Sequence, residues 1–149
     1  MTVRTCAVLT GLLALLGAAA PARAQGPGVE VGVSGDPSQF YFGGQYEMGP
    51  VVDRVWFRPN AEIGVGHDRT LVGLNFEFTY RTPLPRTNWR LYLGGGPALN
   101  ITRTGGDTGS GGGFNIVIGA SHEKGIFTQL KVGLMDSPGV RFGVGYSFR

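Results

Sequence analysis

Val140-Arg141-Phe142-Gly143-Val144-Gly145-Tyr146-Ser147-Phe148 is followed only by Arg149. Val140, Phe142, Val144, Tyr146 and Phe148 alternate with Arg141, Gly143, Gly145 and Ser147. Side chains on a strand point alternately to opposite faces, so this stretch is a strand with one wholly apolar side and one small or polar side.

Working upstream, seven more such stretches can be read. They cover 29–35, 39–48, 55–66, 70–81, 88–101, 113–123 and 126–135. In the fourth, Val72, Leu74, Phe76, Phe78 and Tyr80 alternate with Gly73, Asn75, Glu77, Thr79 and Arg81. Asp36-Pro37-Ser38, Gly49-Pro50, His67-Asp68, Pro83 to Pro85, Lys124-Gly125 and Asp136-Ser137-Pro138-Gly139 separate the strands by turn chemistry. Residues 102–112, dominated by Gly, Thr and Ser, are expected to form the longest and most mobile loop. Pro59 and Pro97 fall inside strands, and each is expected to mark a bulge or a strand boundary, because proline cannot donate to a ladder. Gly94-Gly95-Gly96 before Pro97 would suit a sharp bend.

The beginning of the chain reads differently. Arg4 is followed by an apolar run from Val8 to Ala20 and by Ala22-Arg23-Ala24. This is the pattern of a cleaved secretory signal, too short for a comfortable spanning helix, so 1–24 is expected to be a signal peptide and 25–149 the single domain. Removing it takes away Arg4, Arg23 and Cys6. Cys6 precedes the apolar run rather than ending it, which argues against a lipoprotein anchor. Of 13 basic and 10 acidic residues, 11 and 10 remain, a net charge near +1. That excludes disulfide and thiol chemistry and gives no electrostatic case for nucleic acid.

Eight two-faced strands in a meander make either a soluble carrier barrel or a membrane barrel. The choice depends on which face looks outward. The polar faces pool Glu30, Glu47, Glu62, Glu77, Glu123, Arg58, Arg81, Arg90, Lys131 and Arg141 with many of the chain's 27 glycines. Small and long charged residues suit the narrow interior of an eight-stranded barrel, and the charge-free apolar faces suit lipid. The expectation is an all-β, closed, eight-stranded, antiparallel up-and-down transmembrane barrel. The barrel must close because an open edge in hydrocarbon leaves backbone groups unpaired. An even strand number puts both termini on one side, the periplasm by convention. Residues 36–38, 66–69, 102–112 and 136–139 then face outward.

The pattern over 27–149 resembles the small eight-stranded outer-membrane barrels of the OmpA-barrel and OmpX group. The resemblance implies a bacterial outer-membrane location, outer-membrane lipid as surroundings, and a last strand read by the barrel-assembly machinery through Tyr146 and Phe148. Arg149 after Phe148 departs from the terminal phenylalanine common in that group.

Candidate chemistry starts with the lumen. Pairing the third and fourth strands around His67-Asp68 sets Arg58 opposite Glu77. With Glu62, Arg81, Arg90, Lys131 and Arg141 these residues are expected to form a structural plug of ion pairs, since buried charges need partners. Barrel enzymes such as lipid A deacylases need histidine, serine and an acid together. Ser121-His122-Glu123 is in a strand, where His122 points away from its neighbours, and His67-Asp68 is expected at an outer turn without a serine nearby. The glycines of 105–113 lack the Gly-Lys-Ser/Thr ending of a phosphate loop, and two distant histidines make no metal site. The expected function is therefore a non-enzymatic outer-membrane barrel without a large pore, without a cofactor, and with loop 102–112 as the surface for any partner. A soluble periplasmic carrier of an apolar ligand and a minor channel are the alternatives.

Overall fold

The computed structural model describes residues 26–148. The expected signal peptide and Arg149 lie outside the described residues. Eight strands follow one another: β1 Gly26–Gly35, β2 Ser38–Val52, β3 Val55–Val65, β4 Arg69–Pro83, β5 Trp89–Thr104, β6 Asp107–His122, β7 Ile126–Met135 and β8 Val140–Ser147. Each pairs antiparallel with the next. β8 returns to β1 from Gly28↔Ser147 to Ser34↔Arg141, which closes the barrel. Both ends of the described chain meet at one rim, where the Phe148 N–H donates to the Pro27 carbonyl at 2.8 Å.

The alternation read from the sequence decides inside from outside. Val29, Val31 and Val33 of β1, Phe40 and Phe42 of β2, and Phe142, Val144 and Tyr146 of β8 all face outward. Glu30, Arg58, Glu62, Glu77, Lys131 and Arg141 are buried in the lumen. This distribution is the reverse of a soluble protein's, and it meets the demand of hydrocarbon that the wall be apolar and every strand edge paired. The outward tyrosines and tryptophan, Tyr46, Tyr80, Trp89 and Tyr146, all lie in the half of the wall near the terminal rim. That is the level at which amphipathic rings sit at a membrane–water interface. Phenylalanines Phe40, Phe42, Phe114 and Phe142 hold the opposite half.

Large inward rings lie over glycine. Tyr41 covers Gly32 and Gly143, Tyr92 covers Gly119, and Phe127 covers Gly145. The bare backbone on one strand makes room for a ring on its neighbour, which is how so narrow a lumen takes aromatics at all.

Four expectations need correction. Residues 102–112 are not a loop. β5 and β6 pair without interruption to Thr104↔Asp107, and only Gly105 and Gly106 form the turn. Their φ values of 58° and 101° match a two-residue type I′ hairpin, which glycine adopts without strain. Composition suggested a loop because its many glycines are depleted in strands; the long partner strand β5 overrides that weak local preference.

Pro59 and Pro97 are not bulges either. Pro59 pairs with Phe76 in an unbroken β3–β4 register, and Pro97 pairs with Phe114. Pairing lapses only on the other side, between Gln45↔Asn60 and Met48↔Phe57 and between Asn75↔Ala98 and Phe78↔Gly95, and resumes in the same register. Each proline directs its missing donor to one neighbour only. The observed register shift lies between Met48 and Val52, around Gly49-Pro50, so β2 runs through the point where it was expected to stop. Gly94 and Gly96 serve close approach instead of a bend, since a Cβ at either would collide with the carbonyl of Phe78 or Phe76 on β4.

Candidate functional site

The lumen is filled by one layer of charge at mid-height. Arg58 on β3 faces Glu77 on β4 directly across the ladder. Its Nη2 and Nε donate to the same Glu77 oxygen at 2.7 and 3.2 Å. Lys131 of β7 reaches across the barrel into three carboxylates: Glu62, Glu77 at 3.1 Å and Glu30 at 3.5 Å. Arg141 of β8 donates to the other oxygen of Glu62 and, at 2.6 Å, to Asn115 Oδ1. Three cations and three carboxylates thus cancel, and none of the six is more than 2% exposed. Buried charges are tolerable only when paired and hydrogen-bonded in this manner.

Amides complete the layer. Asn115 donates to Asn75 at 2.7 Å, and Asn75 donates to Asn60 at 2.6 Å. Asn75 and Asn115 lie on β4 and β6 with β5 between them. They meet because β5 presents Gly96 there, paired with Asn115 and without a side chain to intervene. Gln129 donates to Glu30 and accepts from the Tyr92 hydroxyl at 3.1 Å. The Arg58 guanidinium also lies 5.0 Å from the centre of the Tyr92 ring, a cation–π distance.

The other sequence-predicted lumen residues stand apart from this layer. Arg81 pairs with Glu47 at 2.9 Å nearer the terminal rim, with its guanidinium 4.5 Å over the Trp56 ring. Arg90 does not join the plug. It is half-exposed on the terminal rim and meets Glu123 at 3.4 Å, because the inward direction at the very end of β5 opens to solvent. Glu30, Asn60, Asn75, Asn115 and Gln129 were missing from the predicted set. Their strand parity marked them as inward, but only the closed register shows which inward residues share a level.

The far end of the barrel is capped by the β7–β8 turn. Asn100 donates to the Asp136 carbonyl at 3.0 Å and to Ser137 Oγ at 3.2 Å, which draws the turn over the inner face of β5 and β6. The Gly139 N–H donates to the Asp36 carbonyl at 2.7 Å and fixes the turn to its neighbour. Beside it, a groove of about 450 Å³ is lined by Val33, Ser34, Ser38, Phe40, Val65 and His67, among others. His67 therefore does have serines near it, supplied by the β1–β2 hairpin, which the linear sequence does not reveal. Its arrangement is nevertheless loose. The His67 side chain is 98% exposed, Asp68 is 3.9 Å away, and Ser38 Oγ donates to the Gly35 carbonyl at 3.4 Å.

Ser121-His122-Glu123 splits as strand geometry requires. Ser121 is buried inside, whereas His122 packs edge-on against Trp89 at 5.0 Å and accepts the Lys124 N–H on Nδ1 at 3.1 Å. Among the described residues no group of three His, Cys, Asp or Glu side chains is placed to hold a metal. Tyr146 and Phe148 stack edge to face at 5.1 Å on the outer wall, while Ser147 between them is buried.

No protein-family model matches the chain, and no curated protein matches it in sequence. Solved structures do match. The N-terminal β-barrel domain of Pseudomonas aeruginosa OprF is 16% identical over 82% of this chain and 96% of its own, with a TM-score of 0.54. Neisserial surface protein A is 13% identical over 83% and 96%, with a TM-score of 0.58. The outer-membrane enzyme PagL is 13% identical over 83% and 98%, with a TM-score of 0.51. The chain is a closed eight-stranded antiparallel β-barrel with the fold of these small outer-membrane proteins.

Proposed function

We propose that this protein is a non-enzymatic barrel of the bacterial outer membrane, exported by residues 1–24, with a sealed lumen and a structural or surface-contact role. One observation carries the reading: an apolar wall encloses a neutral, fully paired layer of six charges. A soluble carrier needs the opposite arrangement, with an apolar cavity inside and charge outside. A channel needs a path through the layer. The terminal rim, with its tyrosine and tryptophan belt, faces the periplasm, and the turns at Asp36-Pro37, 66–68, 105–106 and 136–139 face the cell exterior.

Membrane fractionation with heat-modifiable migration on a denaturing gel tests barrel and location together; recovery in the soluble periplasm without detergent overturns the proposal. Planar-bilayer recording tests the seal, and discrete conductance would show a channel. Tyr146 and Phe148 form the assembly signal in this reading. Phe148→Ala should then lower insertion by the assembly machinery far more than Ser147→Ala, and equal insertion of both removes that role.

A second reading comes from the groove at His67, because PagL, of the same fold, is an enzyme. It makes Ser38 and His67 an ester-cleaving pair at the outer-leaflet level. The non-enzymatic proposal expects no release of fatty acid from outer-leaflet lipid by the purified barrel. Release that is abolished by both Ser38→Ala and His67→Ala would establish the enzyme.

A further inference from the structure

Apart from the one-sided lapses beside Pro59 and Pro97, the longest run of described strand in the outer half of the barrel with a partner on one side only lies in β6. β6 pairs with β5 as far as Asp107, but its pairing with β7 begins only at Gly113↔Met135. Residues 107–112 therefore lie against β5 on one side and have no strand on the other among the described residues. β7 does not continue alongside because the chain leaves its line at Met135. Met135 has a φ of 62°, a left-handed conformation uncommon outside glycine, and the turn after it folds inward over the sheet's inner face toward Asn100. The edge of β6 is thereby left open sideways. Met135, 84% exposed, stands at its foot.

We propose that this edge is a docking site for an extended segment of another protein, which adds as a strand beside residues 108–112. The inference rests on the outward orientation proposed above and specifies the surface contact. A free edge offers a row of N–H and C=O groups, and proteins commonly block such edges with lysine, proline or a bulge. Thr108-Gly109-Ser110-Gly111-Gly112 has none of these. The Thr104↔Asp107 pair closes the two-residue turn, so the bonds to β5 fall on Asp107, Gly109 and Gly111. The backbone groups of Thr108, Ser110 and Gly112 then turn to the open side. With three glycines in five positions, the edge recognises backbone more than side chains. Selectivity comes from Met135, which favours an apolar residue at the partner's membrane-proximal end.

A second copy of this chain is a poor occupant. Edge-to-edge pairing of identical strands about a two-fold axis makes them antiparallel, which would turn one barrel upside down. Two barrels in one membrane stand the same way up. The added strand instead continues the line of β7, beyond its last pair Gly113↔Met135.

The test is amide hydrogen exchange by NMR on the barrel in nanodiscs. The probe is a blocked hexapeptide of alternating threonine and valine, and the control is the same peptide N-methylated at every second residue. Without peptide, the amides of Thr108, Ser110 and Gly112 should exchange fast while those of Gly109 and Gly111 are protected. The peptide should slow the first set by about tenfold or more, since pairing removes them from water. The N-methylated control should not. Ser110→Pro removes one open-side donor without touching the β5 ladder, and should abolish the peptide's effect while Gly109 and Gly111 stay protected. If that variant unfolds the hairpin, Gly112→Pro makes the same test at the next open position. Protection before peptide is added, no protection at millimolar peptide, or equal protection by the control overturns the proposal. So does protection that depends on two barrels per disc, which would identify a second copy. These readouts use the purified barrel and do not depend on cell location, conductance or lipid cleavage.

Discussion

Strand β6 is two structures end to end. From Gly113 to Ser121 it is paired on both sides, with apolar residues outside and the charge layer inside. From Asp107 to Gly112 it leans on β5 alone, and half of its residues are glycine. Both halves obey the same rules in different solvents. Within hydrocarbon an unpaired backbone group has no partner, so closure is compulsory there. Above the membrane water satisfies an open edge, and the chain can leave one.

Substitutions sharpen this contrast. The largest effect belongs at mid-height. Glu77→Ala strips Arg58 of its carboxylate and Lys131 of one of three, and should cost about 3–5 kcal/mol in equilibrium unfolding from detergent micelles. A cost below about 1 kcal/mol would mean that the layer is not what holds the lumen together. Asn115→Ala follows, because it leaves both Arg141 and Asn75 short of a hydrogen bond; about 1–3 kcal/mol is expected by the same measurement.

Effects fall sharply outside the layer. Gly106→Ala forces a side chain into a φ of 101° and should cost about 1 kcal/mol. Its effect should appear as faster amide exchange confined to the β5–β6 hairpin, with the unfolding midpoint of the lower barrel nearly unchanged. Spread of that effect to the central strands would erase the distinction between the two halves of β6. Smallest is Arg90→Ala, whose half-exposed partner Glu123 is on the rim; the change in stability should stay within about 1 kcal/mol. A loss as large as that of Glu77→Ala would return Arg90 to the plug.

Much of the fold was legible because barrel strands impose a period of two, and that period survives in Val72 to Tyr80 and in Val140 to Phe148 without any tertiary help. The register of β3 with β4 was also readable, since the short His67-Asp68 connection leaves little freedom and sets Arg58 against Glu77. What failed were readings that treated composition as conformation. The glycines and threonines of 102–112 suggested a loop although β5 supplies a full partner, and Pro59 and Pro97 suggested breaks although only one side of each strand lapses. The candidate site was half legible. Parity named the inward charges, but nothing local said that Lys131 would meet Glu30, Glu62 and Glu77 from three other strands, or that Arg90 would remain at the rim.

The sequence by itself determined that there are eight two-faced strands, which side of each is apolar, and which charges point inward. A strand's alternation is a local property, set by the geometry of its own backbone. Only closure of the barrel decided which charges share a level, that Gly96 lets Asn75 and Asn115 meet across β5, that His67 has serines beside it, and that β6 rises past β7 to leave an open edge. Those are relations between strands distant in the chain, fixed by register and stagger, and register is a property of pairs.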